Sequence, residues 1–405
     1  MNQNQPLFAR QPIYNDKLVV EGYELLFRPV DTSEEFDEDQ ATSDVILNAF
    51  TEVGLSKTTE SSCAYINFPT NWLMEPPPFE PKSVVIEILE TVEATEELVA
   101  SVKNLKSKGY KIALDDFEYD DSKSELIELA DIIKIDVLEI KGSKLESLID
   151  QLKPYEKVLL AEKVEDYQTF SQCQQLGCSL FQGYFLCRPQ LVEGSVLPAN
   201  KLVVMRLLAD LQKTDVTIKE LENSIANDPT LSIKLLKIIN SAQYGLTKTV
   251  DSLQKAIVLL GLEKLKSWAS IIALSKLADK PSELLSLTLT RAKMLEILAN
   301  EIGAMDADKY FTVGLFSSID AFFDQSKENI LETLPLEAEI SDALLEYKGP
   351  IGALLKASIH HEQGEWGKIN WNTLMELGIN DEKLENAYTN GLRWALDILS
   401  SLLQG

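Results

Sequence analysis

Histidine is almost missing from this chain. Its 405 residues contain two, His360 and His361, and neither precedes an Asp. A His-Asp metal pair is thereby left out, and the two imidazoles read as an exposed surface turn, with a stray metal on the exposed pair as the alternative. Cysteine is scarce as well. Cys63, Cys173, Cys178 and Cys187 show no CxxC spacing, which excludes a zinc ribbon or a disulfide frame and leaves reduced thiols. Positive charge is the third shortage, with 38 Lys and Arg against 64 Asp and Glu, a net charge of −26. A nucleic acid polymer or an anionic membrane needs a basic face, so neither is an expected partner. An anionic small ligand held by metals and a few placed Arg or Lys is still compatible. No apolar run reaches the about 18 residues of a membrane span. The start, MNQNQPLFAR, has no charged stretch leading into an apolar core. The expectation is a cytoplasmic protein.

A chain this long calls for two or three domains. Its first half alternates short apolar runs with amphipathic segments of about ten residues. The runs are 18–28 (LVVEGYELLFR), 64–68 (AYINF), 83–90 (SVVIEILE), 110–114 (YKIAL), 132–137 (IIKIDV), 157–162 (KVLLAE) and 180–185 (LFQGYF). Helices are expected at Ser43–Leu55, Thr95–Ser107, Ser122–Leu129, Ser143–Leu152 and Asp166–Leu176, and an acidic solvated loop at Asp31–Asp39. This rhythm reads as repeated βα units and a parallel sheet, closed into a (β/α) barrel. An open doubly wound sheet is the alternative, but no GxGxxG follows the first run.

Polar residues interrupt the runs in a regular way. Glu24, Asn67, Glu87, Asp115–Asp116, Lys134, Glu162 and Gln182 each fall in or at the end of a different expected strand. Adjacent carboxylates such as Asp115 and Asp116 repel unless something positive lies between them. Alone they could open a solvated turn. A barrel builds its site from the C-terminal strand ends, and isolated buried acids are costly. Their convergence therefore points to a divalent metal held by oxygen donors. Lys134 is the exception, suited to neutralising the acids or orienting a water.

These residues, in this order, resemble the EAL family of cyclic di-GMP phosphodiesterases over about Phe8 to Pro189. The Glu-Ala-Leu signature with its following Arg is similar to Glu24-Leu25-Leu26-Phe27-Arg28. The Asn, Glu-x-x-Glu, Asp-Asp-Phe and Lys-Ile-Asp motifs are similar to Asn67, Glu87 to Glu90, Asp115–Phe117 and Lys134–Asp136. Ala-Glu-Gly-Val-Glu is similar to Ala161–Glu165, and Gln-Gly-Tyr to Gln182–Tyr184. The resemblance implies two ions, Mg²⁺ or Mn²⁺, with Glu24, Asn67, Glu87 and Asp115 holding one and Asp115 and Asp116 serving the second. It implies Lys134 and Glu162 as catalytic groups beside the attacking water. Arg28, Asp136 and Gln182 would bind substrate, Glu90 would brace a loop, and the family allows a homodimer. Three positions depart from the pattern. Leu25 replaces Ala, Lys163 replaces the Gly of Ala-Glu-Gly, and Glu118-Tyr119-Asp120 replaces the Gly-Thr-Gly after Asp-Asp-Phe. Glycine's access to positive φ is lost and carboxylates are added where an anionic diester would sit.

After a linker at 191–201 the strand pattern stops. Thr217 to Glu220 is a capping box, and Asp228-Pro229 places a cap before Pro at the first helical position. Helical stripes continue over Leu231–Ile239, Asp251–Gly261, Leu262–Leu277, Ser282–Ile302, Tyr310–Phe323 and Glu382–Leu403. The segment Asn227 to Trp268 resembles the HDOD family, a non-hydrolytic relative of the HD phosphohydrolases. Where those relatives carry Gly-Leu-Leu-His-Asp, this chain reads Gly314-Leu315-Phe316-Ser317-Ser318. Serines do not replace a His-Asp metal pair. The expected organisation is an EAL-like barrel over 1–193 and an all-α HDOD domain over 194–405 that binds a protein partner or its own barrel. Three functions are compatible with these motifs: a cyclic di-GMP signalling protein whose hydrolysis is weak or lost, a working metal-dependent phosphodiesterase, and a scaffold that binds no nucleotide.

Overall fold

Strand formation in the first half follows from β-branched and aromatic runs broken by turn residues. The computed structural model describes residues 7–28, 59, 62–68, 70–74, 79–90, 92–117, 123–190, 197–213, 216–226, 228–240, 250, 252–277 and 280–403. Eight strands close into a barrel in sequence order: β1 Leu7–Asn15, β2 Val20–Arg28, β3 Cys63–Asn67, β4 Val84–Ile88, β5 Lys111–Leu114, β6 Ile132–Asp136, β7 Val158–Glu162 and β8 Leu180–Gln182. Helices Glu96–Ser107, Ser124–Leu129, Ser143–Leu152 and Tyr167–Leu176 return the chain between strands β4 and β8. The helix expected at Ser43–Leu55, the Asp31–Asp39 loop and Glu118–Asp121 lie outside the described residues.

The sheet is not wholly parallel, which corrects the expectation. β1, absent from the sequence reading, runs antiparallel to both β2 and β8. The cause is local. The Asn15 carboxamide oxygen accepts the N–H groups of Lys17 and Val19 at 2.9 and 3.0 Å. Leu18 takes φ +60°. A side-chain-closed turn this short makes a hairpin, because a parallel connection needs a dozen or more residues.

Period-two alternation then sorts each strand into inward and outward residues. Ile13, Tyr65, Val85, Ala113, Ile132 and Leu160 form one buried apolar cluster, with Cys63 and Leu180 packed against it. Two residues further along β3 to β8 come Asn67, Glu87, Asp115, Lys134, Glu162 and Gln182. The polar set is therefore the next layer on the same inner face, at the C-terminal end. The outward set meets the helices: Val102 and Leu105, and Ile149 and Leu152, are buried on theirs.

The chain divides into two compact units, Met1–Leu186 with His361–Trp366, and Cys187–His360 with Gly367–Gly405. The sequence places the boundary at 193/194 instead. In the second unit the described elements are helical from Ala199 to Leu403. The capping box forms as expected: Thr217 N donates to Glu220 Oε2 at 2.8 Å and Glu220 N to Thr217 Oγ1 at 3.2 Å. Asp228 caps Pro229–Ile239 by accepting Leu231 N at 3.0 Å. The helix expected over Tyr310–Phe323 is two, Ala307–Phe316 and Ile319–Phe323, broken at Ser317–Ser318. Helices at Lys327–Thr333, Ala338–Glu346, Gly349–Glu362 and Trp371–Glu376 carry no strong stripe signal and are additions to the sequence reading. The histidine pair is corrected too. It lies inside helix Gly349–Glu362, with His361 fully buried edge-on to Trp366 at 6.2 Å.

Candidate functional site

Lys134 is the hub of the barrel mouth. β6 aims its side chain inward, and none of it reaches solvent. Nζ lies 2.7 Å from Glu87 Oε1, 2.7 Å from Asp115 Oδ1, 2.8 Å from Glu162 Oε1 and 3.3 Å from Glu24 Oε1. Four strands other than its own thus deliver one carboxylate each to a single ammonium. Burial alone would discharge the lysine, but the four acids hold it protonated well above the ordinary lysine range. One cation does not neutralise four anions. Burial, with repulsion from Asp115 and Glu24, pushes Glu162 up to about 8 despite Lys134. Burial raises Glu87 far above the usual carboxylate range for the same reason.

Around the hub the remaining residues fall into place. Asn67 Nδ2 donates to Glu24 Oε1 at 3.4 Å, and Gln182 Nε2 to Glu24 Oε2 at 2.6 Å. Gln182 Nε2 also reaches Gln11 Oε1 at 2.8 Å, so the unexpected β1 contributes to the site. Gly183 makes this corner possible. Its φ is +147°, and a Cβ there would overlap the Val164 backbone. Asp116 takes φ +39° just beyond β5. Burial and the neighbouring Asp115 and Asp136 raise its carboxyl, against the pull of Lys163. Asp136 Oδ1 accepts the N–H groups of Leu138 and Glu139 at 2.7 and 3.1 Å. Its Oδ2 receives Lys163 Nζ at 2.5 Å. Arg28 is the last residue of β2, paired with Leu7. Glu90 is exposed past β4, and its carbonyl accepts Lys123 Nζ at 3.0 Å.

Lys134 lies among the acids and not to one side of them. As the side chains stand, no three His, Cys, Asp or Glu among the described residues are spaced around a metal position. The ammonium takes the centre. The donors still suit a hard divalent cation, because all are carboxylate or amide oxygens. Asn67 Oδ1, Glu87 Oε2 and Asp116 Oδ1 are buried without a hydrogen-bond donor, which leaves acceptor capacity that a cation would satisfy. The lysine at 163 is visible in the sequence only as a lost glycine. Its charge, close in sequence to Glu162 and Glu165, is the one signal that it serves the acids.

The EAL domain family matches residues 60–189 and the HDOD domain family residues 197–332. Uncharacterized protein YuxH of Bacillus subtilis is 34% identical, over 97% of this chain and 98% of its own. Cyclic di-GMP phosphodiesterase CdgJ of Vibrio cholerae is 33% identical, over 96% of this chain and 92% of its own. The chain belongs to the EAL–HDOD family. Among solved structures, the Bacillus subtilis YkuI protein with an EAL domain aligns at TM-score 0.39 and 19% identity, covering 56% of this chain and 73% of that one. Within this EAL–HDOD protein, Leu25 replaces the signature Ala without entering the site. It is buried and alternates with Glu24, so it faces away from the acids.

In the HDOD half a buried cation meets the Ser317–Ser318 break. Arg291 is buried on helix Ser282–Glu301, and its Nη1 donates to Ser317 Oγ at 2.7 Å and Ser318 Oγ at 3.1 Å. Lys327 Nζ donates to the Ser317 carbonyl at 2.6 Å. Burial, and the Arg291 charge beside it, pull Lys327 below the ordinary lysine range.

Proposed function

We propose that the barrel binds cyclic di-GMP with a divalent metal, Mg²⁺ or Mn²⁺, and hydrolyses it weakly or not at all. The observation that carries this is the convergence of Glu24, Asn67, Glu87, Asp115, Lys134 and Glu162 at one mouth. Glu24, Asn67, Glu87, Asp115 and Asp116 would hold the metal. Bound there, a divalent ion would lower the pKa of a water and neutralise phosphate charge. Glu162, with its carboxyl near neutrality, suits proton exchange with a water at Oε1 or Oε2. Lys134 would neutralise the acids beside the attacking water from within the mouth. Arg28, Asp136 and Gln182 stand at the same strand ends and would orient the ligand, with Glu90 just past β4.

Three features support weakness. The acids close on Lys134, so an incoming cation competes with an ammonium already in place. Lys163 loads a second positive charge onto Asp116 and Asp136. The sequence Glu118-Tyr119-Asp120 adds carboxylates directly after Asp115–Phe117, against a dianionic ligand. At a few ångströms each such like-charge contact costs about 1 to 4 kcal/mol. The second reading, a working phosphodiesterase, is favoured by the end-to-end likeness to CdgJ. The HDOD half serves a protein partner, because serines and a guanidinium stand where metal ligands would be.

Isothermal titration of cyclic di-GMP into the full chain with Mn²⁺ tests the site. Binding that is lost in Asp115→Asn is the expected result. No binding by the parent at millimolar Mn²⁺ leaves the scaffold reading.

A further inference from the structure

We propose that the ammonium of Lys163 is a built-in cation standing in for one of two divalent ions at the barrel mouth, so that this chain takes up a single divalent ion. The inference rests on reading the acids as a metal site and names how many ions that site admits. Lys163 follows the last residue of β7 and sits at φ +53°. That conformation costs an L side chain free energy, and glycine occupies the matching place in the EAL signature. A lysine held there needs a compensating interaction. The ammonium supplies it, 2.5 Å from Asp136 Oδ2 and 3.8 Å from Asp116 Oδ1. Asp136 cannot swing away, because its other oxygen is fixed by the backbone of Leu138 and Glu139. The Lys163 side chain is 53% exposed, so it is not filling a core.

The six acids of the mouth thus divide between two lysines. Glu24, Glu87, Asp115 and Glu162 face Lys134, and Asp116 and Asp136 face Lys163. Asp116 is the residue through which a second ion would be held, and its Oδ1 is buried without a hydrogen-bond donor. A divalent ion bound to that oxygen would come within a few ångströms of an ammonium, and like charges that close repel.

The test counts Mn²⁺ bound per full-length chain, reading free Mn²⁺ by electron paramagnetic resonance during titration. The parent should bind one ion. Lys163→Gly and Lys163→Met should each bind a second ion at least about tenfold more tightly than the parent does. Lys163→Arg should stay at one. Lys163→Met removes the charge and keeps a side chain of similar length, while Lys163→Gly relieves the positive φ, so a gain in both assigns the count to the charge and not to backbone freedom. Two ions of similar affinity on the parent, or no gain in Lys163→Met, overturns the proposal and leaves the metal site standing. No Mn²⁺ on any variant overturns the metal reading and the proposal with it.

Discussion

Lys134 is the side chain on which the barrel mouth depends most. Fully buried and facing four carboxylates, it can be removed only by leaving uncompensated charge in the interior. Breaking a buried ion pair of this kind costs about 3–5 kcal/mol. Lys134→Met should therefore lower the melting temperature sharply, and millimolar Mn²⁺ should restore much of the loss by binding the folded state. A variant that melts like the parent would show that the acids do not converge as described. Glu162 gives a pH signature. Its ordinary value is 4.5 and burial, with Asp115 and Glu24, raises it to about 8. Between those values the folded chain keeps a proton that the unfolded chain has lost. Stability must then fall as pH rises from about 4.5 to about 8 and level off above. Thermal melts across that range should show the slope, and Glu162→Gln should flatten it. An unchanged slope in the variant assigns the effect to other groups.

At the scale of elements, alternation decides what is inside, and close backbone approach decides where the chain can turn. The corner after β8 depends on Gly183, whose backbone passes against Val164 where a Cβ would overlap. Gly183→Ala should cost roughly 1–3 kcal/mol, read by denaturant melts. Gly177→Ala shares a positive φ but meets open space, and should cost less. Equal costs would mean that conformation, and not the Val164 contact, matters at Gly183. Most of the barrel was legible because each βα unit carries both its strand run and its helix signal. β1 was not, since LFARQPIYN alternates poorly, with Arg10 and Pro12 inside it, and its pairing is fixed by the Asn15 turn. The strand-end acids were legible as a set because they recur at matching places in successive units. Their arrangement about Lys134, and the reach of Lys163 to Asp136, were not, because long side chains choose partners across strands distant in sequence. The break at Ser317–Ser318 escaped for a similar reason: Arg291, on another helix, binds both hydroxyls.

The whole molecule is strongly acidic, with a net charge of −26, and gathers its useful positive charge at a few points. Duplex DNA should show no retardation by the full chain at about 0.1 M salt, because non-specific binding needs a basic face. A clear mobility shift would reveal a patch that net charge conceals. A dianionic small ligand is a different case, since a divalent ion at the barrel mouth would offset phosphate charge locally while the distant acidic surface is screened over about 10 Å. Lys134 and Lys163 occupy the acids that metal-assisted hydrolysis would use. Binding should therefore outlive turnover. The most direct measurement is chromatography of cyclic di-GMP incubated with the full chain and Mn²⁺ under single-turnover conditions. Bound, largely intact ligand is the expected result, with linear dinucleotide appearing far more slowly than the roughly 1 per second of an ordinary enzyme. Conversion at that rate or faster would contradict it and establish a working phosphodiesterase.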